Sequence, residues 1–592
     1  MADEQRHRHG YNRRRSQRSP SDRAGWGDCG GGEHESYRLA GAAVSASRRP
    51  RGSSTRTGSD PRSRLGAGLV KIPPVPFRDP ADAVLEDPKV AEDRRFCSLC
   101  EQPVGRSRDG APARTTGFCH ECGTPFSFAP QLRPGDFVGG QYEVIGCVAH
   151  GGMGWIYLAR DRRASGRWVV LKGRLSAGDR DATTAALAER RFLAAVEHPK
   201  IVKIFNFIEH AGAGYIVMEY VGGRSLSQLL ADRRRRSGGE ADPLPPADAI
   251  AYMLEILPAL GYLHGEGLLF CDFKPDNVIQ THDSLTLIDL GGVCRSDDPP
   301  ATVFGTVGFE APEIEAAGPS IQSDLFTVAR TLAVLCIDFP CYRGTYRYTL
   351  PPRDQVELLA RHDPLYRLLL KATAPDPDDR FLSAQDMADQ LHGVLREVVS
   401  EVEGKPVPFT STLFENAPSG SLDRPDWRVL PSLQVPAEDP GAGFLATIAT
   451  VDPPALLAHL RAAPKRTLAV DLRLAAALID SDHLDGAARL LAAIAATDPW
   501  EWRVDWYCGI VELARGRPEQ ACARFTDVYH SVPGELAPKL ALALALESAG
   551  DVAQAARMYE IVSRTDASAT SASLGLARCR LATDDARPRT WT

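Results

Sequence analysis

The chain has 592 residues, more than one hydrophobic core normally supports, so several domains are expected. A formal net charge of −7 excludes recruitment to nucleic acid or anionic membrane by bulk charge. No apolar run approaches the ~18–20 residues that cross a bilayer. The basic N-terminus "MADEQRHRHGYNRRRSQRSP" has no apolar stretch behind it, so neither a transmembrane segment nor a secretory signal is expected, and a cytoplasmic, reducing compartment follows.

Residues 1–75 are rich in Arg, Ser, Gly and Asp and poor in large apolar residues, which predicts a disordered tail. Residues 76–135 carry "CSLC" at 97–100 and "CHEC" at 119–122, a C-x2-C-x18-C-x2-C pattern built from four of the thirteen cysteines. In a reducing compartment such pairs favour metal over disulfides, and Cys97, Cys100, Cys119 and Cys122 can close a tetrahedral tetrathiolate site for one zinc or iron ion. The loop between the pairs has almost no core, so the ion is expected to supply most of the folding energy. His120, between two ligands, reads as exposed rather than ligating.

Residues 136–399 have the length and α/β periodicity of a protein kinase domain. In "EVIGCVAHGGMGWIYLARD", Val148, Ala149, His150, Gly151, Gly152, Met153, Gly154 and Ile156 resemble the loop over ATP, where missing side chains let backbone N–H groups approach phosphate. Ala149 stands at the first glycine position. "WVVLKG" puts Lys172 at the end of an apolar strand, the place of the lysine that holds the α- and β-phosphates. Glu189, on a helical pattern that buries Phe192, Leu193 and Val196, fits the glutamate that pairs with it. "YIVMEYVGG" supplies Met218 as gatekeeper and a hinge at Glu219 to Val221 whose backbone would bind adenine.

"LLFCDFKPDNVI" lacks the His and Arg that usually precede the catalytic aspartate; Phe270 and Cys271 stand there. Asp272, Lys274 and Asn277 nevertheless keep the spacing of base, γ-phosphate lysine and Mg2+ ligand, and "LTLIDLGG" adds Asp289 as the second Mg2+ ligand. Thr306, Glu313, Asp324 and Arg380 complete the domain, with Arg380 expected to pair with Glu313. Lys274 and Thr306 favour Ser/Thr over Tyr as acceptor. A neutral Cys271 cannot receive an activation-loop phosphate, so regulation must act elsewhere.

Residues 400–460, rich in Pro and Gly, predict a linker, and residues 461–582 a tetratricopeptide-like array. Ala487, Ala521 and Ala555 recur every 34 residues, as do Leu491, Phe525 and Tyr559, while Pro499 and Pro533 mark the following turns. Residues 583–592 form a short tail. The fold class is thus multidomain α+β: a tetrathiolate module, a bilobal kinase fold and an all-α repeat array.

Metal knuckles, "CVAHGGMGWIYLA", "CDFKPDN" and a tetratricopeptide tail in this order resemble the actinobacterial PknG-type Ser/Thr protein kinases. The resemblance implies a rubredoxin-like module against the kinase cleft, use of ATP and Mg2+, self-association through the repeats, and phosphorylation of an FHA-domain regulator of glutamate and 2-oxoglutarate metabolism. The chain departs from the family in a shorter tail and an Arg-rich N-terminus. In "SSTRTGSDP", Thr57 with Asp60 three residues on suits FHA docking once phosphorylated, and Thr55 is a second acceptor. The competing reading is a weak or silent kinase-fold scaffold that binds partners through its repeats. A nucleic-acid role is disfavoured, because neither knuckle interleaves aromatic and basic residues.

Overall fold

The computed structural model describes residues 66, 68–76, 79–97, 99–100, 102–108, 112–151, 154–173, 191–298, 305–418, 424–448 and 452–585. Thr55, Thr57, Gly152, Met153, Glu189 and the C-terminal tail from 586 lie outside them.

The metal module is two short hairpins. Cys97 N–H donates to Gln102 O (2.8 Å) at the first knuckle. The second knuckle joins β1 (Thr116–Phe118) to β2 (Pro125–Ser127), with Cys119 N–H on Thr124 O (2.8 Å). Six antiparallel strands follow: β3 (Phe137–Val138), β4 (Tyr142–Gly151), β5 (Gly154–Asp161), β6 (Arg167–Gly173), β7 (Ile204–His210) and β8 (Ala213–Glu219), in the order β3-β4-β5-β6-β8-β7. Cys97, Val104, Cys119 and Phe128 of the module share one apolar cluster with Val138, Tyr157, Val169 and Leu171 of this sheet. The module was expected to have almost no core; the sheet completes one for it.

The second lobe contains β9 (Arg224–Ser225), β10 (Leu268–Leu269), β11 (Val278–Gln280), β12 (Leu285–Leu287) and β13 (Cys294–Arg295) among helices. Helix α1 (Leu226–Arg236) starts at a Ser225–Gln228 capping box, which satisfies two otherwise orphaned backbone donors. Helix α2 (Pro246–Gly265) is apolar on nearly every face and is the lobe's buried axis. Helix α3 (Ile321–Cys336) starts at a second capping box, Ser320 with Ser323. Helices α4 (Asp363–Ala372) and α5 (Ala384–Glu403) close the lobe. Arg380 and Glu313 form the expected bidentate pair, at 2.6 and 2.8 Å.

The repeat region comprises α6 (Pro453–Arg461), α7 (Leu468–Asp480), α8 (Leu484–Thr497), α9 (Trp502–Ala514), α10 (Pro518–Ser531), α11 (Ala537–Ala549), α12 (Val552–Thr565) and α13 (Thr570–Asp585). Ala487, Ala521, Ala555, Leu491, Phe525 and Tyr559 are all fully buried, so the 34-residue columns are the seams between paired helices. Two segments expected to be irregular are ordered by packing. From the predicted tail, Leu69, Val70 and Ile72 pack on the kinase core, and Gln280 Nε2 donates to Pro73 O (2.8 Å). From the predicted linker, Phe414 is buried edge-on against Trp506 (4.8 Å) in the repeat core.

Kinase and repeats meet backbone to backbone. A Cβ on Gly393 of α5 would lie 2.0 Å from Gly534 O, so only glycine permits the approach. Beside it, fully buried Lys539 pairs with Glu397 (2.5 Å) and donates to Pro533 O (2.7 Å) and Glu535 O (2.9 Å). Burial pushes Glu397 up and Lys539 down, so the joint persists only while each charge faces the other. Lys539→Met should therefore destabilise the protein by about 3–5 kcal/mol through a stranded carboxylate. Adding Glu397→Leu should restore most of the loss, read as the melting temperatures of the single and double variants.

Candidate active site

The catalytic loop hangs from one carboxylate. Asp324, fully buried in the first turn of α3, accepts from Phe270 N (2.8 Å) and Cys271 N (2.7 Å), and His264 Nε2 lies 3.0 Å away. Phe270 is fully buried edge-on to Phe273 (ring centroids 6.2 Å), an apolar contact with no part in proton transfer. Cys271 adopts the left-handed conformation (φ 66°), and its thiol is pushed up by the Cys294 sulfur beside it, by burial and by Asp324. The chain then turns Asp272 toward the cleft. Its carboxylate accepts from Lys274 Nζ (2.7 Å), Thr306 Oγ1 (2.6 Å) and Asn277 Nδ2 (3.2 Å). Lys274 Nζ also donates to Thr306 Oγ1 (2.6 Å). Asn277 commits its amide nitrogen to Asp272 O (2.8 Å) as well, which leaves its side-chain oxygen as the atom suited to a cation.

Opposite, β6 sets Lys172 between Ile156 of β5 and Ile216 of β8. Among the described residues its ionic partner is Asp289, and Glu189 is not described. Burial would raise Asp289, yet the Lys172 ammonium outweighs it and holds the carboxyl below the usual range. Asp289 is also left-handed (φ 63°) and accepts from Gly291 N (3.1 Å). An ionised carboxylate and an amide oxygen form a hard oxygen pair that fits Mg2+.

Val148, Ala149 and Gly151 end β4, and Gly154 (φ 116°) opens β5 directly opposite Gly151. Val148 and Ala149 are buried, and Ile156 packs with Val148. His150 stacks edge-on to Trp155 (4.9 Å) and is pushed down to about 4 by burial and by Arg94 from the approach to the metal module. Glu219, the last residue of β8, donates its N–H to Lys203 O (2.8 Å), and Val221 follows it, half-buried. Met218 lines an apolar pocket with Lys172, Leu193 and Leu290.

Sequence reasoning missed one element of the site. Ala83 and Val84 pack with Val148, Ile156 and Tyr220 beside the nucleotide loop, and Leu85 N–H donates to Cys147 O (2.8 Å). The approach depends on Gly146, since a Cβ there would sit 2.3 Å from Val84 Cγ1. The only signal was a glycine inside a strand, beside a register shift in the β4–β5 ladder, which does not name its partner.

The four cysteine sulfurs lie within 4.8 Å of one another, with Cys97–Cys122 at 3.4 Å and Cys100–Cys119 at 3.5 Å. Tetrahedral Zn–S bonds of about 2.3 Å require sulfurs near ~3.8 Å, so the set fits one ion. Backbone N–H groups of Cys100 and Leu99 lower Cys97, and the Thr124 hydroxyl and N–H pull Cys122 down to about 6, whereas Cys100, although lowered by the Gln102 N–H, is pushed up to about 12 by burial and the neighbouring sulfurs, so a cation is needed to ionise the full set. His120 is exposed beside Glu121 and outside the sulfur cluster.

Three family descriptions match in order: Protein kinase G rubredoxin domain over residues 59–132, Protein kinase domain over 142–390, and Protein kinase G tetratricopeptide repeat over 426–588. The chain is similar to the serine/threonine-protein kinase PknG of Mycolicibacterium smegmatis, 44% identical over 560 residues that span 88% of this chain and 72% of the relative. The PknG of Mycobacterium leprae is 43% identical over 571 residues, 89% of this chain and 73% of the relative.

A Cys97→Ser/Cys100→Ser variant should lose the bound ion, measured by elemental analysis. Because the sheet shares the module's apolar cluster, the variant should also melt earlier, while phosphate transfer changes in rate rather than vanishing.

Proposed function

The chain belongs to the protein kinase G family of serine/threonine protein kinases, and from that premise we propose that Asp272 is the base of its phosphoryl transfer. The observation that carries this reading is the arrangement of Lys274 and Thr306 on the Asp272 carboxylate, at 2.7 and 2.6 Å, with Lys274 also donating to Thr306 at 2.6 Å. A protein Ser or Thr hydroxyl delivered here would donate to Asp272, and Lys274 stands within reach to neutralise the moving phosphoryl group. Lys172 would hold the α- and β-phosphates, with Glu189 as its partner by spacing. Residues 148–154 with Ile156 would cover the phosphates, and backbone at Glu219 and Val221 would receive adenine. Asn277 and Asp289 would hold Mg2+, which when bound neutralises charge on the phosphate oxygens.

The finer assignments rest on the family resemblance. The substrate proposed is an FHA-domain regulator of glutamate and 2-oxoglutarate metabolism, supported by Thr57 with Asp60 and by Thr55 as a second acceptor. Self-association is proposed through the repeats, whose stacked helices offer an extended surface. The tetracysteine site would take iron or zinc. Among the described residues no helix is long and apolar enough to cross a membrane.

Asp272→Asn should lower kcat about 10²–10⁴-fold with little change in the KM for ATP, because it removes a proton acceptor and no phosphate contact. Lys172→Ala should abolish autophosphorylation, read by radiolabel incorporation with circular dichroism to confirm the fold. Wild-type incorporation by either variant refutes the assignment. Protein stripped of phosphate by a phosphatase should keep its initial rate, since the neutral Cys271 gives an activation-loop phosphate no cationic partner. Thr302, the acceptor to mutate in parallel, lies outside the described residues.

A further inference from the structure

Beside the catalytic loop lie two thiols that phosphoryl transfer does not use. Cys271 immediately precedes Asp272, and Cys294 follows Asp289 by five residues. Both are buried, and their sulfurs are 3.5 Å apart. Leu269 and Cys294 pair across β10 and β13, and these two residues with Cys271 and Ile321 form a small apolar cluster.

We propose that Cys271 and Cys294 form a reversible disulfide that lowers kinase activity, a reading that rests on Asp272 as the base. The oxidant is a low-molecular-weight disulfide, R–S–S–R. One cysteine thiolate attacks it, forms a mixed disulfide and expels the first RS−. The second thiolate attacks the protein sulfur of that mixed disulfide, closes the Cys271–Cys294 bond and expels the second RS−. The two thiol protons end on the departing thiolates, so the pair loses two electrons and R–S–S–R becomes two RSH.

Two features make the reaction feasible. The sulfurs must close from 3.5 Å to about 2.05 Å, a movement within reach of rotation about the two Cα–Cβ bonds. Access comes through the β10–β13 ladder, which has only two residue pairs and so opens locally at low cost, relieving the burial that otherwise holds the Cys271 thiol protonated. The consequence falls on the base. Cys271 N–H is fixed to Asp324 (2.7 Å) and Asp272 N–H to Phe270 O (2.9 Å), so drawing Cys271 toward β13 twists the peptide that aims Asp272. A displacement of about 1 Å at a reacting group can cost on the order of 10²-fold in rate.

The test treats the full-length, metal-loaded protein and its Cys294→Ala variant with oxidised glutathione. Free thiols are then alkylated, and linked peptides, metal content and phosphate transfer to a generic protein substrate are measured on the same samples. The wild type should yield a Cys271–Cys294 peptide pair lighter by two hydrogens, with at least a ~10-fold fall in kcat that dithiothreitol reverses. Cys294→Ala should keep the basal rate and show neither. Metal loss from the four-cysteine centre would lower both proteins alike and is read directly. Absence of the linked pair in the wild type overturns the site, and a linked pair with unchanged kcat, or an equal fall in Cys294→Ala, overturns the regulation. Linkage is read by mass, so an error over the base would appear separately, as activity in Asp272→Asn.

Discussion

The buried carboxylate of Asp324 is the constraint on which the catalytic loop depends. An isolated carboxylate inside a protein is costly, and this one is held by two backbone N–H groups and the ring of His264. The dependence is mutual, because the amides of Phe270 and Cys271 would otherwise be buried donors without acceptors. Asp324 grips backbone rather than side chains, which explains how Phe and Cys can replace the usual His and Arg while Asp272 keeps its place. Phe270 then fills an apolar slot against Phe273, and Cys271 is free to meet Cys294. The substitutions that made the motif look defective fall on the two side chains this anchor does not use.

The domains are continuous solids rather than beads on a string. One apolar cluster runs from Cys97 in the metal module to Leu171, the residue before Lys172. Val84 reaches the nucleotide-loop strand because Gly146 leaves room for it, and Arg94 lies near enough to His150 to disfavour its protonation. At the other end, Gly393 and Gly534 bring a kinase helix and a repeat turn to backbone contact, beside the Lys539–Glu397 pair. Close packing transmits small displacements, so a change at either end arrives at the cleft as a shift of packed surfaces rather than as the swing of a tether.

What was legible in the sequence is what chemistry or periodicity repeats. Asp272, Lys274 and Asn277 could be named from spacing because one short loop must present all three, and the 34-residue columns because each repeat solves the same packing problem. What was not legible depends on partners far away in the chain. Gln280 with Pro73, Phe414 with Trp506 and Val84 with Gly146 are contacts between a prebuilt surface and a segment whose own pattern is irregular. Arg/Ser/Gly-rich and Pro/Gly-rich compositions therefore read as tail and linker, although a few apolar anchors were enough to order the chain. The expected Lys172–Glu189 pair rests on spacing, and Glu189 lies outside the described residues, among which the ion pair of Lys172 is with Asp289.

The charges in the cleft weigh against a silent scaffold. Lys172 is only 7% exposed, and Asp272 and Lys274 are both largely withdrawn from water. Desolvating such groups costs several kcal/mol each, and an apolar replacement of similar volume is often as stable or more so. A surface kept only for binding through the repeats, on the far side of the Gly393–Gly534 contact, has no need of ammonium and carboxylate groups at these positions. The Lys172–Asp289 and Lys274–Asp272 pairs offset part of that cost. Phosphate and a hard cation are the partners for which two lysines, two aspartates and an asparagine oxygen, converging on one cleft, are suited.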